Sequence, residues 1–478
     1  MKIDAVINDW FEPVAEALAS VIFYSVSIAG HDIMLILVWL AFASIFFTLY
    51  LGFINFRLFS HAWGLIFGAK SDADKQDGQI SPFQALATSL SGTVGLGNIA
   101  GVAVAVSVGG PGAAFWMLLM GLFGMSTKFS EVMLGVKYRK HTDGTHPERI
   151  SGGPMYYLKE VFDRKEWPYF GSIMGGFFAL CAAFGAFGAG SLFQTNQVFQ
   201  QAVTITGGAE SIIANKGWLI GLIMAALVGI VIIGGIKSIG AVAGRLVPAM
   251  GVLYLFAGLF VLAMHYAAIP DAIVTIFREA FTPAAGSGAI IGALLMGVQR
   301  ASFSNEAGLG TAAIAHSAAQ TSKPVTQGMI GMLGPFIDTV IVCMVTALVI
   351  IVTGAYSSGD GMEGVELTSR AFADGASWLP YVLFVVVALF AYSTLISWSY
   401  YGVKGFTYLF GNSALSENFY KLIFCLFIVV GASSDLSGVI LFTDSVVFAM
   451  AIPNIIGLYF FAPEIKKDVK AYISELKK

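Results

Sequence analysis

The sequence predicts an all-α polytopic membrane protein of eleven spans: one extra N-terminal span, then two five-span groups of opposite orientation. Three observations predict it. Hydrophobic residues make up 57% of the 478 residues and charged residues only 12%, about half the charge of a soluble domain. Apolar runs longer than about 18 residues recur along the chain. Two Gly-rich phrases, "GLGNIAGVA" (95–103) and "GLGTAAIA" (308–315), interrupt apolar runs at matching places in the two groups.

The runs fall at about 31–56, 82–109, 112–138, 172–205, 217–236, 243–265, 287–319, 325–354, 379–405, 417–433 and 439–461. Residues 3–24 set Val6, Trp10, Phe11 and Val14 against Asp4, Asp9, Glu12 and Glu16, the pattern of an interfacial helix. No basic-then-apolar leader opens the chain, so the first span is expected to insert it. The expected divisions are 1–81 (interfacial helix, extra span, cytoplasmic linker), 82–266 and 267–462 (the two groups) and 463–478 (a cytoplasmic tail). Cys181, Cys343 and Cys425 lie inside apolar runs without metal-ligand spacing and read as packed thiols.

Charge tests the span count. With the N-terminus outside, Arg57, Lys70, Lys75, Lys137, Arg139, Lys140, Arg149, Lys159, Arg164 and Lys165 lie inside. So do Lys237, Arg245, Lys323, Lys404, Lys421 and the tail residues Lys466, Lys467, Lys470, Lys477 and Lys478. Only Lys2, Lys216, Arg278 and Arg370 remain outside. This is the positive-inside bias, and a missed span would invert it. The expected location is the cell membrane, with the C-terminus cytoplasmic. The net charge of −3 says little about partners, and no basic run suggests nucleic acid, which is not an expected partner.

The two breaks, "SLSGTVGLGNIAG" (89–101) and "RASFSNEAGLGTAAIA" (300–315), each open a group of five spans. Five is odd, so the second group enters the membrane from the other side, an inverted repeat. Paired interrupted helices of this kind point to a secondary transporter's binding site. An unwound helix leaves free carbonyls at one half-helix end and free amides at the other. The carbonyls suit a cation and the amides a carboxylate. A zwitterionic amino acid with a cation matches both. The alternative is close helix packing through Gly97 and Gly101, a GxxxG spacing. That alternative leaves Asn98, Asn305 and Glu306 unexplained.

Several stretches carry a specific resemblance: "SPFQALATSLSGTVGLGNIAGVA" (81–103), "GGPGAAFWM" (109–117), "TKFSEVMLGVKYR" (127–139), "SGGPMYYL" (151–158) and "STLISWSYYG" (393–402). They resemble the alanine or glycine:cation symporter family of the amino acid–polyamine–organocation superfamily, over nearly the whole chain. The resemblance implies a LeuT-type fold of ten core helices arranged as a 5+5 inverted repeat, with 31–56 in front. It implies uptake of alanine or glycine coupled to sodium, or less often to protons. "TVGLGN" also resembles "AVGLGN" of the neurotransmitter:sodium symporters, and "FSNEAGLG" (303–310) their "FTLSLGFG". Carried over by position, Leu96 and Gly97 would offer amides to the substrate carboxylate, and the Thr93 carbonyl would face its amino group. Phe303 would be an aromatic lid, with Ser304 and Asn305 in the second break. Ser91 and Val94 carbonyls, with Ser393 and Thr394 hydroxyls, would hold sodium. Asn98 matches a side chain used there for a second sodium, and Glu306 stands where those relatives have a small hydroxyl residue.

Other polar residues within spans need partners. Gln194 and Asn196 read as substrate ligands or as interhelical hydrogen-bonding groups. Arg300 is expected to neutralise Glu306 or Asp338, all three near the midplane, with the acid tuning the cation site or carrying a proton. A purely structural ion pair is the alternative. Lys128 and Glu131 read as a local pair with a snorkelling lysine, Asp444 as a lone capped acid, and His316 as a packed imidazole. Trp398, with Phe303, is expected to restrict the pocket to small side chains. Backbone clamping of both charged groups predicts weak chiral discrimination.

A channel would build a continuous pore with ring symmetry rather than an internal inverted repeat. An enzyme is not expected: the sequence has no HExxH, no Walker-type loop and no βαβ pattern around the glycines. An amino acid sensor would use the same pocket but would not accumulate substrate. The expected partners are an amino acid and membrane lipid, and a monomer suffices.

Overall fold

The computed structural model describes residues 3–28, 31–68, 77–141, 150–281, 287–357, 364–434 and 436–477. Among the orientation charges, Lys2, Lys70, Lys75, Arg149 and Lys478 lie outside these residues, as do the side chains of Asp4, Val6, Asp9, Trp10 and Phe11. The described chain is helical apart from turns, two antiparallel strand pairs, Ser25–Ile28 with His31–Met34 and Lys140–His141 with Ile150–Ser151, and an isolated bridge between Ile80 and Ala319.

The N-terminal part comprises α1 (Ile3–Ile22), α2 (Leu35–Tyr50) and α3 (Phe59–Gly68). The expected span 31–56 is shortened at both ends. Residues His31–Met34 pair as a strand, and Gly52 and Phe53 take left-handed φ values of 67° and 55°.

The first group begins with α4 (Pro82–Thr93) and α5 (Ala100–Gly109), the halves of one helix bent by 56°. It continues through α6 (Gly112–Lys137), the connecting α7 (Pro154–Asp163), α8 (Pro168–Ile205), α9 (Gly217–Ile233) and α10 (Gly235–Met264). Gly235, at φ 62°, separates α9 from α10. Helix α10 therefore starts eight residues before the expected 243, and Lys237 lies in its first turn rather than in a loop. The connecting α11 (Ile269–Phe281) leads to the second group.

That group begins with α12 (Ser287–Asn305) and α13 (Thr311–His316), the second interrupted pair. Then come α14 (Pro324–Val352), the connecting α15 (Gly364–Gly375), α16 (Leu379–Phe410), α17 (Ala414–Gly431), α18 (Leu436–Ala449) and α19 (Ala451–Leu476). Helix α19 runs on through the segment read as a tail. Helix α1 packs against α18.

Each of the eleven expected segments corresponds to helix. By length and hydropathy, however, seven helices among the described residues can cross a membrane, and the bent α4–α5 pair makes eight. Helices α2 and α9 are apolar but only 16 and 17 residues long. At 1.5 Å per residue such lengths fall a few ångströms short of a 30 Å hydrocarbon core.

Two local features position the interior. Helix α8 widens to π-helix over Ala186–Leu192, and α14 over Phe336–Cys343. Such bulges shift side chains around the helix axis and recur at functional sites. At one end of the bundle, Arg139 ties the chain before α4 to the chain after α13. Its guanidinium donates to the carbonyls of Asp77, Ser317, Ala319 and Thr321 at 2.7–3.1 Å.

Candidate functional site

The first break is built from a capped start and a glycine-released end. Helix α4 opens on a capping box, Ser81 with Gln84. It stops at Val94, Gly95 is extended, and Leu96–Asn98 make one 3₁₀ turn before α5. Asn98 holds the opening: its Oδ1 accepts from the Gly95 amide at 2.8 Å. Its Nδ2 donates to the Asp338 carboxylate at 2.7 Å and carbonyl at 3.1 Å. Asp338, on the π segment of α14, also accepts from the hydroxyls of Ser304 and Thr339, both at 2.8 Å. One buried carboxylate thus links both breaks.

The glycines of the first break serve close approach. A Cβ at Gly95 would lie 2.4 Å from Thr394 Oγ1, and one at Gly92 would lie 2.9 Å from the Tyr401 hydroxyl. At Gly97 it would meet Phe303 at an ordinary 3.4 Å, and at Gly101 its nearest neighbour would be Arg300 Cδ at 4.0 Å. The Gly97–Gly101 spacing therefore is not where helices pack most tightly.

The four residues expected around sodium come together where the end of α4 meets α16. The Ser91 hydroxyl donates to the Ser393 carbonyl at 2.6 Å, and the Ser393 hydroxyl to Phe390 O at 2.9 Å. Val94 is the last residue before Gly95, which Thr394 faces. Thr394 Oγ1 is buried and has no hydrogen-bond partner among the described residues. A buried hydroxyl without a partner costs about 1–3 kcal/mol. The carbonyls of Ser91, Val94 and Ser393 near it, and the two serine hydroxyls, are oxygen donors of the kind a hard cation takes. No group of three or more His, Cys, Asp or Glu residues fit for a metal occurs among the described residues.

Beside this lies a small cavity lined by Thr93, Gly97, Gln194, Phe303, Glu306 and Trp398, together with Gly92, Gly95, Ala189 and Val447. It is about 10 Å³, room for about one water. Thr93, Gly97, Gln194, Phe303 and Trp398 were all expected at a substrate site. Glu306 was expected only as a coupling or structural charge. Gly92, Gly95, Ala189 and Val447 were not singled out, and the last two carry no signal that separates them from other core residues. Trp398 donates to the Gly92 carbonyl at 3.2 Å and packs over Gly190 of the π segment. The Phe303 ring meets Phe193 edge-on at 5.8 Å, and the Arg300 guanidinium sits 5.8 Å from its centroid.

Some expected ligands are engaged elsewhere. Gln194 Oε1 accepts from the Leu96 amide at 3.3 Å, so that amide is already taken. Asn196 donates to Ser434 O at 2.6 Å and accepts from Gln197, an interhelical role outside the cavity lining. Ser304 is bonded to Asp338, and Asn305 to Thr339.

The charges pair differently from the expectation. Arg300 neutralises neither Glu306 nor Asp338. It binds Asp444 at 2.5 Å, with Gln299 donating to the same oxygen at 3.0 Å. Asp444 is therefore no lone acid. The reason is local supply: Asp338 has Asn98 and two hydroxyls, and Glu306 accepts from the Thr311 hydroxyl. Asp444 has only Gln299 and Arg300 among these partners.

Lys128 and Glu131 do not form the expected local pair with a snorkelling lysine either. Both are fully buried against the second break. The Lys128 ammonium donates to the Asn305 carbonyl at 2.9 Å, at the C-terminal end of α12. Glu131 Oε1 accepts from the amides of Gly308 and Gly310 at 2.9 and 3.0 Å, before α13, and from Asn454 at 2.7 Å. Each charge thus has the sign that complements its half-helix end. Gly124 allows the approach, since a Cβ there would come 3.0 Å from Ala307. A sequence signal existed: Lys128 lies nine residues inside the end of α6, about 13 Å from it, which is deep for a snorkelling side chain. His316 is packed as expected, with Gln327 at 2.7 Å from its Nδ1.

Comparison with known proteins agrees with this architecture. Residues 16–478 match the sodium:alanine symporter family. The chain is 42% identical to the sodium/alanine symporter AgcS of Methanococcus maripaludis, over 92% of this chain and 94% of that one. It is 32% identical to the probable sodium/glutamine symporter GlnT of Bacillus subtilis, over 93% of this chain and 88% of that one. The crystal structure of MhsT in complex with L-phenylalanine aligns with a TM-score of 0.54 at 16% identity, covering 82% of this chain and 98% of that one. This shows the LeuT-type fold. The chain belongs to the sodium:alanine symporter family and is a multi-pass membrane transporter rather than an enzyme.

Proposed function

We propose that the protein takes up alanine or glycine together with sodium by alternating access, with the first break as the binding site. One observation carries this reading. A small cavity walled by Thr93, Gly97, Gln194, Phe303 and Trp398 lies beside a buried, unpartnered Thr394 hydroxyl. The amide of Gly97 would take the substrate carboxylate and the Thr93 carbonyl its amino group. Ser91, Val94, Ser393 and Thr394 would hold sodium. Phe303 would close over the substrate, beneath Arg300 and Asp444.

The substrate class follows from size. AgcS is named for alanine and GlnT for glutamine. Trp398, Phe303 and Val447 line the cavity beside the break, and these bulky side chains would favour a small substrate side chain when the site opens to admit it. Because both charged groups of the substrate would be held through backbone, D-alanine is expected to compete with L-alanine.

A proton-coupled reading has one observation in its favour, the Glu306 carboxylate on the cavity wall. The test is uptake of labelled L-alanine into proteoliposomes under a sodium gradient and, separately, a proton gradient. Concentrative uptake with sodium alone supports the proposal. Uptake with protons alone transfers coupling to Glu306, and binding without accumulation indicates a sensor. The proposed setting is the cell membrane, with eleven crossings, an N-terminus outside, a cytoplasmic C-terminus, and 82–266 and 267–462 as the rocking repeats.

A further inference from the structure

A second cavity, of about 280 Å³, opens where α9 gives way to α10 and α16 meets α17. Its wall carries Lys237, Lys404 and Lys421 against one acid, Glu417. Lys421 lies 3.9 Å from Glu417, and Lys404 lies 2.6 Å from the Ser151 hydroxyl. The 30-residue α10 begins on this wall at Gly235 and α9 ends on it at Ile233, so the two helix poles oppose each other. The lysines supply the positive charge, and the first amides of α10 supply donors. A Cβ at Gly235 would meet nothing within 4 Å, which leaves the backbone there open to a ligand.

A second, independent observation points to a ligand. Tyr400 lines the same cavity and is only 6% exposed, yet its hydroxyl has no hydrogen-bond partner among the described residues. A buried O–H of this kind is normally satisfied. Cationic groups, helix amides and a hydroxyl donor together suit a phosphate oxygen.

The surroundings decide between a soluble anion and a lipid. The two helices flanking the cavity bear strongly exposed apolar side chains: Ile230 and Ile233 on α9, and Leu415 and Leu422 on α17, 62–80% exposed. In a membrane protein that surface faces acyl chains. Basic pockets between transmembrane helices bind anionic headgroups in this way. We propose that the cavity binds the phosphate headgroup of an anionic phospholipid, whose acyl chains lie along the α9 and α17 surface. This site is separate from the proposed substrate cavity and shares no lining residue with it.

The experiment is titration of the delipidated, purified protein with phosphatidylglycerol or phosphatidylcholine, read by native mass spectrometry. Thermal unfolding of the same samples is followed in parallel, and inorganic phosphate is the soluble competitor. Phosphatidylglycerol is expected to bind more tightly than phosphatidylcholine and to raise the unfolding midpoint. Lys237→Gln combined with Lys421→Gln should weaken it by about fivefold per lysine. Tyr400→Phe removes a hydroxyl that has no hydrogen-bond partner among the described residues. It should leave the lipid-free midpoint in place and reduce the lipid-induced shift. Equal binding of the two lipids, or variants that bind phosphatidylglycerol like the parent, would overturn the proposal. So would displacement by millimolar phosphate, which would make the ligand a soluble anion.

Discussion

Gly95→Ala is the sharpest perturbation of the proposed sodium site. The added Cβ would sit 2.4 Å from Thr394 Oγ1 and 3.3 Å from Gln194 Oε1. An ordinary contact needs about 3.4 Å, so Thr394 or the break must move by about 1 Å. Gly95 is extended rather than left-handed, so the substitution carries no backbone strain of its own. Overpacking of this kind costs about 1–3 kcal/mol. Here the displaced atom is the unpartnered hydroxyl proposed as a sodium donor. The expected result is a rise of about tenfold or more in the sodium concentration that half-saturates alanine uptake. Coupling is reciprocal, so alanine binding at fixed low sodium should weaken too, and saturating sodium should restore it. The matched control is Gly101→Ala, whose Cβ meets nothing closer than 4.0 Å. It should leave uptake unchanged. A sodium dependence unaltered by Gly95→Ala would refute the placement of sodium at Thr394. Loss of uptake in Gly101→Ala would restore the packing explanation of the Gly97–Gly101 spacing.

Further outcomes are expected. Lys128→Met should lower thermal stability by about 3–5 kcal/mol, because it leaves a buried carbonyl and the buried Glu131 without a cation. Lys128→Met with Glu131→Gln should cost less than the sum of the single changes, and strict additivity would count against a shared role at the break. Arg300→Gln or Asp444→Asn alone should destabilise more than both together, because their side chains are only 5% and 4% exposed; unfolding midpoints of the three variants decide it. Glu306→Gln should retain sodium-driven uptake, since a glutamine oxygen can still accept from Thr311, and complete loss would make the charge obligatory. Trp398→Leu should let glutamine compete with alanine, a selectivity change of about 1–3 kcal/mol; unchanged competition in the uptake assay would remove Trp398 from the specificity wall.

What was legible in the sequence was what disturbs a local pattern. Glycines, serines and asparagines inside apolar runs marked both breaks, and "STLISW" marked the hydroxyls that meet the first of them. The expected cavity residues Thr93, Gly97, Gln194, Phe303 and Trp398 share a property: each is an unusual side chain, or none, in its run. Pairings across the fold were not legible. Arg300 finds Asp444 144 residues away, and Lys128 finds Asn305 177 residues away. Nothing near either residue in the chain names its partner: shared depth near the midplane suggested Glu306 or Asp338 for Arg300, and helical spacing suggested Glu131 for Lys128. Depth alone was available. Counting helix rise inward from Lys137 places Lys128 too deep to reach the headgroups, which should have favoured a buried role.

The buried charges on α6 also explain why two similar breaks need not do similar work. At the second break, the Asn305 carbonyl already meets an ammonium and the Gly308 and Gly310 amides already meet a carboxylate. The protein's own lysine and glutamate occupy the positions that a cation and a carboxylate would take at an open helix break. At the first break, no such pair is present among its described contacts. Asn98, Gln194 and Asp338, all buried, shape it through hydrogen bonds. An internally compensated break can bind external charge only by displacing a buried ion, at several kcal/mol. An uncompensated break gains from binding the same charge. On the proposed reading, the asymmetry would direct both the cation and the zwitterion to the first break and leave the second as a partner carrying Phe303 and Glu306. Asp338 joins the two, so a change in how Asn98 holds the first break reaches Ser304 in the second through one carboxylate. That linkage gives substrate and cation binding at one repeat a direct route to the other.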